Sequence, residues 1–388
     1  MNEKISRLHV VDALRGFAIV SIMLLHNIEH FDFYFLPANL PVWMVVLDKW
    51  IWDGLFFLFG GKVYAIFALL FGLTFFIQSK NQENKGKDFR GRFAWRLILL
   101  FMFGLINSAF YQGDILLIYA VIGFILIPFA KLSNKVVLAI AVFLMLQPYE
   151  FYNLIYAVQN PAIELSDPVS WSYFAKTGEY ITGSSLIDTL IGNLTIGKTA
   201  VLLWNWENGR IFQTASLFMF GMLAGRKSLF EISEKKISLW KNTLFISIFV
   251  FIPLFIIKMF HSDWISSGAV NRPFGVIISS YSNMAFMLVL VSGFVLLYQR
   301  KFFHKILNIF TSIGKMSLSN YIIQSVIGSF IYYGYGLGLY QYTGATYCLL
   351  IGILLATLQG YFSGWYIRNF TRGPLENLWH KGTWICSK

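Results

Sequence analysis

Residues 7–30 read RLHVVDALRGFAIVSIMLLHNIEH, and the reading of this stretch decides the fold. It is long and apolar enough to cross a bilayer as one helix. Yet it carries Asp12 and Arg15 toward one end and His26, Asn27, Glu29 and His30 toward the other. Ionisable groups in a span are costly, so they mark helix contacts, an interface or a site. His26 follows Asp12 by 14 positions. At 1.5 Å per residue the two lie about 21 Å apart, near opposite faces of the membrane.

The rest of the chain repeats the apolar theme. Of 388 residues, 57% are hydrophobic, 18% aromatic and only 13% charged, with a mean hydropathy of +0.61. A soluble domain has about 25% charged residues. The expected fold is therefore all-α and polytopic, one integral membrane domain over 1–388. Ten spans are expected, at about 10–29, 55–78, 93–111, 115–130, 136–157, 210–225, 241–259, 274–298, 313–334 and 345–367. Segments 158–209 and 36–53 do not fit a simple span. The first holds an interfacial or re-entrant helix around Asp188 and Lys198, and the second, with Trp43, Trp50 and Trp52, an interfacial one.

Charge orients these spans. With the amino terminus inside, inner segments hold 22 Lys and Arg and outer segments hold 7: Lys49, Lys62, Lys176, Lys198, Arg210, Lys258 and Arg272. The bias puts both termini in the cytoplasm and makes 158–209 an external loop. It also accounts for the net charge of +12 without a nucleic-acid partner. The two cysteines, Cys348 and Cys386, suggest neither a disulfide framework nor a metal site. The first apolar run lacks a small-x-small cleavage site after it and reads as a retained span.

The polar residues inside spans fall into two layers. Asp12 and Arg15 share a helix face and can pair with each other or with Arg96. They either anchor the inner interface or receive a phosphate-bearing donor, for which Arg offers a bidentate fork. In the outer layer, His26 can act as a general base or as an interfacial hydrogen-bonding group. His26 and His30 have metal-ligand spacing, but too few further ligands accompany them to favour a metal. Lys62 and Asp114 lie at the same depth, where snorkelling and helix capping are their plain alternatives. Arg210 and Gln213 open the sixth expected span. Gly221 and Gly225 form a small-residue packing face near its other end. Ser317, Asn320 and Gln324 share a face of the ninth, either as interhelical hydrogen bonds or as the lining of a polar cavity.

Several motifs, in order, carry a resemblance: RLHVVDALRGFAIVSIMLLHN, GKVYAIFALLFGLTFFIQ, GDILLIYAVIG, GRIFQTASLFMFGMLAGR, GKMSLSNYIIQS and RGPLENLW. Together they resemble the DUF418 family of bacterial membrane proteins, the YeiB-like group, with residues 208–388 as the DUF418-like carboxy-terminal half. The DALRG run with a polar residue about eleven positions after its Arg also resembles the acyltransferase-3 and heparan glucosaminide acetyltransferase groups. That resemblance implies a ten-helix protein of the bacterial plasma membrane. Such a protein takes an acyl group from a cytoplasmic donor, acetyl-CoA or another acyl-CoA, to an envelope glycan, lipid or small-molecule acceptor. The chain departs from the DUF418 pattern by exchange: His26 stands where the family usually has Asn, and Asn107 where it usually has His.

The functional expectation is an acyl-CoA-dependent O- or N-acyltransferase with no permanently bound cofactor. His26 is its base, with Asn107 as a further catalytic group; Lys62, Asp114 and Arg210 orient the acceptor or stabilise the oxyanion, and Gln213, Asn320 and Gln324 join Arg210 among the substrate-binding residues. Asp12, Arg15 and Arg96 handle donor phosphates. A small-solute transporter with Asn107, Asn320 and Gln324 along its path is the second reading, and a structural membrane protein the third. Against transport stand the lack of visible repeats and of mid-membrane acids.

Overall fold

The computed structural model describes residues 8–29, 37, 40–160, 164 and 166–385, and among these helix is the only regular structure. His30 and Cys386 lie outside the described residues. The helices are α1 (His9–Glu29), α2 (Val42–Phe59), α3 (Val63–Glu83), α4 (Arg90–Phe110), α5 (Leu116–Gly123), α6 (Leu126–Phe129), α7 (Asn134–Met145) and α8 (Pro148–Gln159). There follow α9 (Val169–Phe174), α10 (Thr177–Ile181), α11 (Leu186–Gly192), which runs through a π-helical turn into α12 (Lys198–Glu207), and α13 (Arg210–Arg226). The last are α14 (Glu234–Trp264), α15 (Gly268–Tyr298), α16 (Lys301–Leu307), α17 (Ile309–Lys315), α18 (Ser317–Tyr332), α19 (Ala345–Asn369) and α20 (Pro374–Thr383).

Among the described residues seven helices or continuous helical rods are long and apolar enough to cross a membrane, or eight if the bent pair α7–α8 forms one span. The chain is thus a multi-pass membrane protein. Several of the ten expected spans take a different form. The region 115–130 is the short pair α5–α6, and 210–225 is a 17-residue helix. The region 313–334 breaks at Met316 between α17 and α18. The 136–157 span bends by 43° where Gln147 takes a left-handed φ of 59° and Pro148 follows. Proline supplies no N–H there, so the ladder cannot continue straight.

Two segments expected at the interface have the length and hydropathy of spans. Residues 42–53, expected to lie along the interface, form the front of α2, and α2–α3 together make one apolar rod of 42 residues. Residues 186–207 also have the length and hydropathy of a span. The expected interfacial reading rested on the polar residues inside this segment. Asn193 and Lys198 turn inward instead: Asn193 donates to the Ala109 carbonyl at 2.9 Å and Lys198 to the Asp114 carbonyl at 3.1 Å. The opposite flank stays apolar.

Burial ranks the helices. In α1, 67% of the most apolar stretch is buried, against 11% in α14 and 17% in α19. So α1 runs through the protein interior, while α14 and α19 face outward with exposed Phe249, Trp264, Leu354 and Tyr361. Two glycine crossings hold the centre. A Cβ on Gly314 would sit 1.8 Å from the Asp12 carbonyl, and one on Gly72 would sit 1.8 Å from the Phe218 carbonyl. The backbones of α1 and α17, and of α3 and α13, therefore touch directly, as small residues permit. The bundle has a basic end, with Arg92, Arg226 and the α20 helix, and a far end, with Glu29, Asp114 and Gly344.

Candidate functional site

Between α1, α3, α4, α5, α18 and α20 lies a cavity of about 410 Å³. Its basic end is lined by Arg15, Arg96, Lys315, Arg372 and His380, with Glu376 beside them. Its interior is apolar and aromatic, with Phe67, Phe71, Leu97, Leu100 and Leu116, and it ends at Ile22, Tyr119 and Tyr321. A cationic mouth on a greasy bore suits an amphiphile with an anionic head.

The breaks in the chain position these groups. The helix interruption at Met316 leaves the first N–H groups of α18 without intrahelical partners. Glu376 of α20 supplies them: its carboxylate accepts from Leu318 N at 2.7 Å, Ser319 N at 3.2 Å and the Ser319 hydroxyl at 2.6 Å. The Ser319 hydroxyl in turn accepts from Leu375 N at 3.0 Å. The SLSNY and GPLE motifs thus form one latch. On its other side α20 grips α4. The Arg96 guanidinium stacks 4.0 Å from the Trp379 ring centre and donates to Thr383, while Arg92 stacks 4.7 Å from Trp384. Burial holds the His380 imidazole below the usual histidine value, and Arg372 and then Arg96 push the same way.

Of the two expected Asp12 pairings, the structure has the one with Arg15, at 3.1 Å. Arg15 also donates to Thr74 at 3.0 Å. Arg15 and Arg96 come together on one cavity wall. Asn320 does not line the cavity. Its amide bonds the Ile313 carbonyl at 3.1 Å and Ser363 at 3.0 Å, tying α17, α18 and α19 together. Gln324 is buried with neither end of its amide hydrogen-bonded. Gln213 is likewise structural in its contacts, donating to the Ser280 carbonyl at 2.9 Å and accepting from Tyr64.

The outer layer divides in two. Around His26, the imidazole packs on Tyr111 with ring centres 4.6 Å apart, and on Tyr321 at 6.0 Å. Asp114, wholly buried, accepts from Asn107 at 2.8 Å and from Leu117 N at 3.0 Å, and lies 3.8 Å from the Lys198 ammonium. So Asp114 does cap α5, and it also forms half of a buried ion pair. Lys62 and Arg210 do not join this group. Lys62 donates to the Phe56 carbonyl at 3.3 Å, and the Arg210 guanidinium stacks between Tyr64 and Trp204. Among the described residues no three His, Cys, Asp or Glu side chains converge as metal ligands.

Sequence reasoning missed Tyr321, Arg372, His380, Glu376, Lys198 and Lys258. Glu376 was within reach, because GPLE was already singled out. Tyr321 was within reach in the same way, inside GKMSLSNYIIQS, whereas Lys198 looks like a loop cation until the chain folds.

Residues 224–386 match a family model described as "Protein of unknown function (DUF418)". The chain is 28% identical to the uncharacterized protein YxaH of Bacillus subtilis (strain 168), over 98% of this chain and 94% of that protein. It is 26% identical to the uncharacterized protein YeiB of Escherichia coli (strain K12), over 96% of this chain and 95% of that protein. An uncharacterized 39.9 kDa protein in the amylase 3' region of Bacillus acidopullulyticus is 23% identical over 97% of this chain. No solved structure matches the chain.

Proposed function

We propose, from the match of residues 224–386 to the DUF418 model and the likeness of the whole chain to YxaH and YeiB, that the chain transfers an acyl group from a cytoplasmic acyl-CoA to an acceptor at the far face of the bacterial plasma membrane. One observation carries the reading. The cavity begins among Arg15, Arg96, Lys315, Arg372 and His380 and ends at Ile22 and Tyr321. Ile22 is one helical turn before His26, and the Tyr321 ring lies against His26. A donor with its phosphates at the mouth has an apolar bore for its acyl chain, leading toward a base.

The chemistry this arrangement supports is acyl transfer with His26 as general base. His26 removes the proton from an acceptor hydroxyl or amine as the new bond forms to the thioester carbonyl carbon. The carbon–sulfur bond then breaks, and the imidazolium returns the proton to the departing thiolate. Arg offers paired donors that match phosphate geometry. The Asp114–Lys198 pair and Asn107 act as positioning groups that fix the turn beneath Tyr111.

The test is titration of purified protein with acetyl-CoA by calorimetry. Arg372→Gln and Arg15→Ala should each weaken binding by about tenfold, since a charged hydrogen bond contributes about 1.5–3 kcal/mol. His26→Ala should bind donor normally and lose turnover. Absence of donor binding in the wild type sinks the donor site. Full activity in His26→Ala sinks the catalytic role of His26.

A further inference from the structure

The seven Lys and Arg expected on outer segments do not meet the same fate. Lys49 pairs with Asp53 at 2.7 Å, Lys198 lies 3.8 Å from Asp114, Arg272 donates to the Ser166 carbonyl at 2.8 Å, and Lys176 lies over Tyr173. The other three, Lys62, Arg210 and Lys258, converge from α3, α13 and α14. Lys62 is only 6% exposed. Its ammonium donates to the Phe56 carbonyl at 3.3 Å and sits 6.0 and 5.6 Å from the Phe57 and Phe286 ring centres. The Arg210 guanidinium is held between Tyr64 at 4.3 Å and Trp204 at 4.4 Å. The Phe57 ring under Lys62 packs on Phe255, with ring centres 5.4 Å apart, and Phe255 stands one helical turn before Lys258 on α14; among the described residues no carboxylate contacts any of the three. The Asn283 side chain crowds Gly61, directly before Lys62, and its buried amide oxygen has no hydrogen-bond partner.

Three like charges in an apolar setting cost free energy unless an opposite charge joins them. Ring faces offset part of that cost but bring no net negative charge. Lys62 retains ammonium donors beyond its one carbonyl. The surface beside the cluster is open and apolar, with Phe57 40%, Ile256 47% and Met259 60% exposed on the α14 side. A charged group can therefore reach the cluster only with lipid around it or by way of the far end.

We infer that Lys62, Arg210 and Lys258 form a binding site for a phosphate-type anion, of the kind carried by an anionic lipid headgroup, separate from the cavity at the basic end. This site does not rest on the acyl-transfer reading. Fixed cations from three helices would be drawn together by one phosphate, so occupancy also clamps α14 onto α3 and α13.

The test follows the unfolding temperature of the full chain in neutral detergent, by tryptophan fluorescence. Three additives are titrated: phosphatidylglycerol, diacylglycerol of the same chains, and inorganic phosphate. Phosphatidylglycerol should raise the unfolding temperature and diacylglycerol should not. If inorganic phosphate raises it as much, the ligand is a soluble phosphate; if only the lipid does, it is a headgroup. Without additive, Lys258→Met should unfold at a higher temperature than wild type, because a repelling charge is gone. Its phosphatidylglycerol affinity should fall about tenfold or more, while Lys258→Arg keeps it. A purely structural cation would give the opposite sign in the unliganded protein. Should Lys258→Met fail to fold, Arg210→Gln carries the same affinity comparison. A wild type that responds to neither anion overturns the site, as does a lipid response unchanged in Lys258→Met and Arg210→Gln.

Discussion

Glu376 shows how much one side chain can organise. Its two oxygens accept three hydrogen bonds from the start of α18, and a carboxylate there also meets the positive end of the helix. Removing an N-terminal cap costs about 0.5–2 kcal/mol. Glu376→Ala should therefore lower the unfolding temperature by several degrees in detergent, and Glu376→Gln by less, because one amide oxygen still accepts. His380 gives a second expectation at this scale. Its neutral form is favoured by burial and by Arg372 and Arg96. With no anion present, the fold loses stability as pH falls below the ordinary histidine value, about 6.5, since the unfolded chain then binds the proton more readily. A polyphosphate in the cavity reverses the local field and raises the imidazole's affinity for a proton. Acetyl-CoA binding should consequently tighten as pH falls from 8 to 6, and His380→Gln should flatten that dependence while retaining most of the affinity. Calorimetry across the pH range checks both points; an unchanged slope in the variant removes His380 from the site.

Between elements, the decisive contacts are the glycine crossings. A Cβ on Gly16 would stand 1.9 Å from the Phe310 carbonyl, and one on Gly221 would stand 1.9 Å from the Leu69 carbonyl. Both obstacles are backbone, so a methyl group must push a helix away. Gly314→Ala and Gly221→Ala should each cost about 3 kcal/mol through overpacking. They should differ in function. The α1–α17 crossing carries Asp12 and Arg15, so Gly314→Ala also weakens donor binding, whereas Gly221→Ala lowers thermal stability alone. Gly293→Ala, with nothing within 4 Å of the added carbon, should be neutral or stabilising, because Ala is the better helix former. The GMLAG run already announces the α3–α13 contact as a small-residue face. Gly16 and Gly314 are harder to read, because each stands beside a charged residue that draws the attention. Helix breaks are legible where Pro148 marks one. The break at Met316 has no such mark, since it depends on Glu376, 60 positions later, to satisfy the freed N–H groups.

For the whole molecule, apolar periodicity shows that helices span the membrane, because bilayer thickness fixes the length each must reach. It does not fix their number. Residues 186–207 read as interfacial from Asp188 and Lys198, yet Lys198 and nearby Asn193 bond to carbonyls at the end of α4 and the turn before α5 and leave an apolar flank. Conversely α13, α5–α6 and α17–α18 are shorter or broken, because protein contacts rather than lipid surround them. Of the two layers on α1, Arg15 lines the cavity and bonds Asp12 and the distant Thr74, while His26 packs on Tyr321, a lining residue from far along the sequence. Orientation is the property that charge alone predicts, with the basic end inside. Single cysteines settle it in a Cys348→Ser, Cys386→Ser background in intact cells. Lys87→Cys, in the exposed turn after α3, should resist a membrane-impermeant maleimide until the cells are opened. Tyr342→Cys, 66% exposed before α19, should react at once. Ile187→Cys, 68% exposed at the start of α11, and Trp206→Cys, near the end of α12, then count the spans. If both react from outside, 186–207 lies on the outer face and the crossings that remain are even in number, as two cytoplasmic termini require. If only one reacts, the rod crosses, and another of the shortened helices must fail to cross for both termini to remain inside.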